Sequence, residues 1–204
     1  MQFEITHQDS YSRGELLLRS FFGWFYILIP HAFLLMIFSF VLSILTFAAW
    51  WVILITGNTP EWYYSWSLKL NRWSLRVSAR LLNLIDGYPA FGMDGQDDNT
   101  TLNFEHIHIG RGQLLLRSFL GWLMLIPHIF VLYFRMIGTY VLVFLAWWVV
   151  LFTGNYPANW HTFNTGTLRW STRLNLWYSW LIKDYPPFSG APDAGAESAP
   201  IDQM

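Results

Sequence analysis

The chain contains the same sequence pattern twice, and this internal repeat constrains its fold more than any other feature. Residues 13–24, RGELLLRSFFGW, recur at 111–122 as RGQLLLRSFLGW. Further along, Ile29-Pro30-His31 recurs as Ile126-Pro127-His128, Trp50-Trp51 as Trp147-Trp148, and Gly57-Asn58 as Gly154-Asn155. A repeat unit of about 97 residues indicates a tandem duplication in which each copy is one structural unit, so we interpret these repeated positions as structural.

Each copy begins with a long apolar stretch. Residues 20–60 contain no Asp, Glu, Lys or Arg, and residues 118–161 contain only Arg135. Over the whole chain 54% of residues are hydrophobic and 12% are charged, against roughly a quarter charged in soluble domains. The 13 Trp residues fit membrane interfaces, where aromatic side chains concentrate. The sequence therefore predicts an all-α integral membrane protein.

Two interpretations are open for how each apolar stretch crosses the bilayer. One helix of about 37 residues would be about 55 Å long, well beyond the ~30 Å hydrocarbon core, and two full crossings need about 40 residues. We expect a tight transmembrane helical hairpin in each copy, because it places every Lys and Arg except Arg135 on one side. Arg135 aligns with Phe38 at the expected turn, where its guanidinium would reach the far interface. One long kinked helix per copy is the alternative.

An interfacial amphipathic helix is expected after each apolar stretch, because Thr-Gly-Asn and a following Pro are typical of one helix ending and another beginning. The N-terminal arm and the linker segment LNFEHIHI alternate like strands, and they predict a short β-ribbon. The expected organisation is membrane repeat 1 at residues 1–92 (apolar stretch about 20–57, amphipathic helix about 60–85), a linker at 93–110, membrane repeat 2 at 111–190 (about 118–154 and about 157–182), and a disordered tail at 191–204.

Basic residues of the amphipathic helices are candidates for contact with lipid headgroups. At 100° per residue, the basic residues of the first helix fall within a narrow arc flanked by leucines, and the second helix retains two of them. A basic strip between apolar flanks is typical of a helix lying on anionic lipid. Covering the cytoplasmic ends of the hairpins is the alternative role. The candidate headgroup-binding residues are Lys69, Arg72, Arg76, Arg80, Arg169 and Arg173.

The repeated histidines are the main candidates for chemistry. His31 and His128 follow prolines inside the apolar stretches, where an ionisable residue favours a functional hypothesis. They could supply two axial nitrogens to a haem between the hairpins, bind a metal or relay a proton. A structural role is favoured, in which the ring N–H donates to a carbonyl that the proline leaves unpaired. His106 and His108, with His7, form a weaker metal hypothesis, and we predict no bound metal or cofactor.

The combined pattern R…LLR…IPH…W…TG.YP…RW..R…YPPF resembles that of a bacterial integral-membrane family, the domain of unknown function 4389. The resemblance covers both copies and most of the chain. It departs from the pattern at Ala90, where the second copy has Pro187. It implies a location in a bacterial membrane and no particular activity.

Several functional classes are excluded. The chain has no Cys, which excludes disulfides, thiolate zinc sites and thiol nucleophiles, and its net charge of −1 excludes a broad nucleic-acid-binding surface. It also lacks a Gly-rich phosphate loop, a nucleophile elbow and an HExxH helix.

We expect a non-catalytic accessory or scaffold protein in the bacterial cytoplasmic membrane, with both termini cytoplasmic. Its expected partners are anionic lipids and either a larger membrane complex or further copies of itself. Membrane shaping is one alternative function, and His-based haem, quinone or proton chemistry is a second.

Overall fold

The computed structural model describes residues 1–193 and consists mainly of helices. The helices are α1 (Arg13–Thr56), α2 (Glu61–Leu81), α3 (Arg111–Thr153) and α4 (Ala158–Tyr178). Strands β1 (Gln2–Ile5) and β2 (Thr100–Asn103) pair in antiparallel register, with Phe3 opposite Leu102. The predicted ribbon between the N-terminal arm and the linker is therefore confirmed, but β2 overlaps the expected strand LNFEHIHI only at Leu102 and Asn103. The predicted disordered tail lies outside the described residues from position 194 onward.

Each apolar stretch forms one uninterrupted long helix, so the predicted hairpins are wrong. α1 has 44 residues and α3 has 43, and both are long and apolar enough to cross a membrane. The segment around Phe38 has no Gly or Pro to break the helix, and a continuous helix satisfies its own backbone hydrogen bonds in apolar surroundings. Arg135 does not reach outward from a turn either. Its guanidinium donates to the Thr167 hydroxyl and the Phe163 carbonyl, both on α4.

A π-helical segment at Trp24–Leu28 allows α1 to bury the same face as α3. Gly23 and His31 are both buried eight residues apart in α1, whereas the equivalent Gly121 and His128 are seven residues apart in α3. A spacing of seven returns a side chain to within about 20° of the same face, but eight overshoots by about 80°. Because a π-helical turn accommodates one extra residue, the two buried positions stay aligned.

Each short helix runs back along the long helix that precedes it. α1 ends at Thr56 and α3 at Thr153, and the glycine that follows each, Gly57 or Gly154, has the left-handed conformation with φ near +77° that is common after a helix C-terminus. In the first half, Trp73 of α2 donates a hydrogen bond to His31 and also contacts the ring of Phe38. The inner face of each long helix is therefore covered by a short helix and the loop after it.

The two long helices meet near both ends in antiparallel orientation. Trp50 of α1 donates to Ser118 of α3, and Trp147 of α3 donates to Ser20 of α1. The arginine that begins each long helix also donates to a carbonyl in the last turn of the other: Arg13 to Phe152 and Arg111 to Ile55. These reciprocal contacts join the two halves into one body.

Candidate functional site

His31 is completely buried in an aromatic cluster of the first half. The indole N–H of Trp73 donates to its Nδ1 at 2.9 Å, so the neutral ring carries its proton on Nε2. That nitrogen donates to the Tyr88 hydroxyl at 3.0 Å, and the ring of Phe91 packs 4.8 Å away. Both ring nitrogens are therefore engaged in holding α1, α2 and the following loop together.

His128 occupies the equivalent cluster of the second half but has one partner fewer. Trp170 donates to its Nδ1 at 3.1 Å, and Phe188 stacks on the ring at 3.7 Å. The hydroxyl of Tyr185 donates instead to the Met124 carbonyl, so His128 Nε2 has no hydrogen-bond partner within the described chain. The two clusters thus share one architecture but differ in how completely their polar atoms are satisfied.

The two histidines lie in separate aromatic clusters. Within residues 1–193, no hydrogen bond or ring contact joins His31 to His128, because each is enclosed by the short helix of its own half. Their joint ligation of a haem stays a prediction. The structural role expected each ring N–H to donate to a carbonyl left unpaired by Pro30 or Pro127. In the structure, a tryptophan of the antiparallel short helix donates to each ring instead.

His7 and His106 each bond to a loop. His7 bonds the Tyr156 carbonyl and His106 the Thr59 carbonyl, each at 2.8 Å, so each binds the turn after a long helix. His106 and His108 are neighbours, with ring centroids 5.3 Å apart, but His7 packs against His161 in the other half. In the part of the chain that the structure describes, no group of three His, Asp or Glu side chains is placed to hold a metal ion.

His161 lies among aromatic rings at the start of α4. Burial and, to a smaller extent, the neighbouring His7 lower the pKa of His161 to about 4, although a hydrogen bond to the Leu84 carbonyl opposes the shift. Its ring is therefore neutral under ordinary conditions and donates to that carbonyl at 3.2 Å. This contact joins α4 to the loop after α2, so it crosses between the two halves.

Four of the six basic residues expected to contact lipid headgroups are buried: Arg76, Arg80, Arg169 and Arg173. These four do not face the headgroups as expected, because their guanidinium groups form hydrogen bonds inside the protein. Arg76 donates to carbonyls of the loop at residues 90–92, and Arg173, at the equivalent position, donates to those of Ser189 and Ala191. The Gly- and Pro-containing loops after α2 and α4 fold back over the short helices and supply these acceptors.

Arg80 forms a buried ion pair with Asp97. Burial raises the pKa of the Asp97 carboxyl, but hydrogen bonds from Arg80 and Thr100 outweigh that effect and hold the pKa below its usual value. The net result is an ionised pair that fixes the loop before β2 to α2.

The other basic residues also contact the protein itself. Arg72 donates to the Leu102 carbonyl in β2, and the equivalent Arg169 donates to the Phe3 carbonyl in β1. Lys69 forms an ion pair with Asp94 at 2.7 Å and keeps a large part of its surface exposed. Of the six candidates, only Lys69 and Arg72 retain appreciable exposed surface for a headgroup.

Arg135 belongs to a polar network that replaces apolar residues of the first half. It donates to Thr167, whose hydroxyl also bonds Thr139 at 3.0 Å, and its guanidinium lies 4.2 Å from the ring centre of Phe163. The equivalent first-half positions are Phe38, Leu70 and Leu42. The charge is thus accommodated between α3 and α4 by hydrogen bonds and an aromatic face.

The outward sides of both long helices form an apolar face. Exposed large apolar side chains recur every three or four residues from Leu17 to Ile55 and from Leu115 to Phe152. Within these bounds Arg19 and Arg117 are buried, and Arg135 is half-buried. The apolar face includes Phe21, Phe25, Phe33, Phe40, Phe47 and Ile55 of α1, and Phe119, Phe130, Phe134, Ile137, Phe144 and Phe152 of α3.

Two exposed tryptophans of the apolar face satisfy their own polar atoms. The indole N–H of Trp24 donates to the Phe21 carbonyl at 3.0 Å, and that of Trp122 donates to the Phe119 carbonyl at 2.9 Å. An unpaired N–H would be costly away from water. These two side chains are therefore compatible with a lipid environment although more than half of each is exposed.

Comparison with known families gives one match. Residues 116–190 match the family model described as Domain of unknown function (DUF4389). The match covers most of α3, all of α4 and the loop that contributes Tyr185 and Phe188, so the resemblance seen in the sequence motifs is confirmed for this part of the chain. Searches of the curated proteins and of the solved structures returned no match.

Proposed function

We propose that this chain is a non-catalytic membrane scaffold or accessory protein. The apolar face holds it in the bilayer, and it binds a larger membrane complex or further copies of itself. The observation that carries the proposal is the division of the molecule into an outward apolar face and an interior whose buried arginines all donate to carbonyls or carboxylates of the chain itself. Those groups serve the fold and are not left open toward a substrate.

The proposed location is the bacterial cytoplasmic membrane, as the family resemblance implies, with both ends of the chain cytoplasmic. The amino group of Met1 forms an ion pair with Asp193 at 2.8 Å, which supports placing both positions on the same side. The reciprocal Trp–Ser contacts and the paired histidine clusters support our interpretation of the chain as a tandem duplication.

Aromatic side chains of the loops after the short helices are the proposed contacts for a protein partner. Tyr88 and Phe91 in the first half and Tyr185 and Phe188 in the second are each about half exposed. Aromatic side chains are enriched among the residues that dominate binding energy at protein interfaces. A partner that engages both halves would bind two equivalent aromatic patches.

Native mass spectrometry of the chain, gently extracted from its own membrane, tests this proposal. We expect a second protein at fixed ratio or a defined homo-oligomer, and a Phe91→Ala/Phe188→Ala double variant should lose it. Phe33→Ala/Phe130→Ala, on the apolar face, is the matched control and should retain the assembly. A wild-type chain found only as a monomer with lipid would contradict the scaffold role.

Membrane shaping is a second candidate function, favoured by the restriction of the apolar face to one side of the molecule. A protein that adds area to one leaflet more than to the other favours curvature. Reconstituted vesicles should then tubulate as the protein-to-lipid ratio rises. Vesicles that keep their shape at high ratio would remove this candidate and leave the scaffold role unaffected.

A further inference from the structure

We infer that α1 and α3 lie in the plane of the membrane, embedded in one leaflet, and that the acyl chains of that leaflet cover the apolar face. This inference rests on the proposed membrane location and is independent of any protein partner. By length and composition alone, α1 and α3 could also cross the membrane, and our inference differs from that interpretation.

The length of the apolar face is the first argument. Exposed apolar side chains continue from Leu17 to Ile55, which is about 57 Å along a helix, against a hydrocarbon core of about 30 Å. An upright helix would carry much of this face out of the hydrocarbon. Fitting all of it across the core would need a tilt near 60°, beyond the roughly 0–40° of transmembrane helices. A helix lying within a leaflet has no such length limit.

The second argument is that the opposite side of each long helix is backed by protein with a polar outer surface. The groove between α2 and α4 is lined mainly by small polar side chains: Asn71, Ser74, Ser78, Ser171, Thr172 and Asn175. Because α2 runs alongside residues 31–49 of α1, upright helices would place this groove at hydrocarbon depth. Some of these groups bond within the chain, as the Ser171 hydroxyl does to the Leu168 carbonyl, but the hydrogen-bonding capacity that water now satisfies would be lost there. With the helices in the plane, the groove faces water.

The symmetry of the molecule is the third argument. The groove is lined by equivalent residues of the two halves, such as Ser74 and Ser171, and the long helices meet through equivalent Trp–Ser contacts. An approximate twofold rotation that exchanges the halves would relate these pairs, and we infer that its axis passes through the groove and between the long helices. If this axis is perpendicular to the membrane, the outward sides of α1 and α3 enter the same leaflet at the same depth.

Spin-label depth measurements on the full chain in phosphatidylcholine/phosphatidylglycerol vesicles test this inference. The chain has no native Cys, so single cysteines can be placed along the face at Leu18, Phe25, Phe33, Phe40, Phe47 and Ile55. Collision of the label with oxygen relative to a water-soluble nickel chelate reports its depth. We expect one similar depth at all six positions, about 5–10 Å below the headgroups, as for interfacial helices. A depth that passes through the bilayer centre near Phe33 and Phe40 and returns to the surface at both ends would overturn the inference.

Two controls make the result decisive. A label at Ser74, in the polar groove, should be accessible to the nickel chelate. Ser10→Cys and Asn58→Cys, which precede and follow α1, should react with an impermeant maleimide from the same side of sealed vesicles; reaction from opposite sides would show a crossing. Labels on the apolar face that all read as water-exposed would contradict the membrane location itself, whereas a missing partner in native mass spectrometry would leave the depth profile unchanged.

Discussion

The indole N–H of Trp50 donates a hydrogen bond to the hydroxyl of Ser118, 2.9 Å away, and so joins the last turns of α1 to the first turns of α3. The equivalent pair, Trp147 and Ser20, makes the same contact with the halves exchanged. Each half therefore supplies an acceptor that the other half needs. We expect the two halves to unfold together.

Removing both acceptor hydroxyls tests this coupling. Ser20→Ala/Ser118→Ala removes two hydrogen bonds between the long helices, each worth about 0.5–1.5 kcal/mol. The expected result is a lower free energy of unfolding in detergent with a single transition. Ser39→Ala, on the apolar face, is the control and should change stability by less than the measurement error. Equal loss in both variants would contradict a specific role of the Trp–Ser contacts.

The histidine clusters predict which of two His→Phe substitutions lowers the stability of the fold more. His31→Phe leaves the Trp73 N–H and the Tyr88 hydroxyl without their bonds to the ring, whereas His128→Phe removes only the bond from Trp170. Both variants leave a buried Trp donor unpaired, which costs about 1–3 kcal/mol, and only the first also loses the His31–Tyr88 hydrogen bond, worth about 0.5–1.5 kcal/mol, so the first should be the less stable of the two. Thermal unfolding followed by circular dichroism compares them. A larger loss in His128→Phe would indicate that its Nε2 has a partner, such as a ligand.

The π-helical segment predicts that α1 tolerates a deletion that α3 does not. Deleting Leu28 should convert the segment to regular α-helix and give the seven-residue spacing seen in α3, with little loss of stability. Deleting Leu125 should rotate Gly121 and everything before it by about 100° relative to His128 and expose the buried Arg117. Expression and melting temperature distinguish the two. Similar behaviour of both deletions would contradict this account of the extra residue.

His161 predicts a pH dependence of stability. Its pKa of about 4 in the folded chain lies below the roughly 6.5 of an unfolded histidine, so the unfolded chain binds the proton first as the pH falls. Its contribution is therefore complete above about pH 6.5 and is lost progressively down to about pH 4. His161→Gln should flatten the curve of melting temperature against pH in this window. Thr162→Ala, at the exposed neighbouring position, should leave the slope as in the wild type, and an unchanged slope in His161→Gln would refute the assignment.

The sequence was sufficient for the elements that depend on local pattern. The ends of the long helices just before Gly57 and Gly154 and the pairing of the N-terminal arm with the linker follow from short motifs and alternation. The extra residue between Trp24 and Ile29 was also visible, because the offset between the copies changes from 98 to 97 there. That change was the available signal for the π-helical segment.

The packing of the short helices onto the long ones could not be predicted from the local sequence pattern. The expected hairpins followed from the positive-inside rule, which we applied as if every arginine were exposed. In the structure Arg76 and Arg173 are buried by loop carbonyls that lie about 15 residues further along the chain. Likewise, Trp73 reaches His31 only because α2 turns back along α1. Contacts of this kind depend on the tertiary arrangement, which composition and periodicity do not determine.

The most direct test of the central claim, that the apolar face is covered by lipid, is photolabelling with a phospholipid that carries a diazirine on its acyl chain. After illumination of the reconstituted chain, peptide mass spectrometry locates the labelled residues. We predict labels along both long helices, from Leu17 to Ile55 and from Leu115 to Phe152, and none on the groove side of α2 and α4. Labels on that groove, or none on the long helices, would contradict the account.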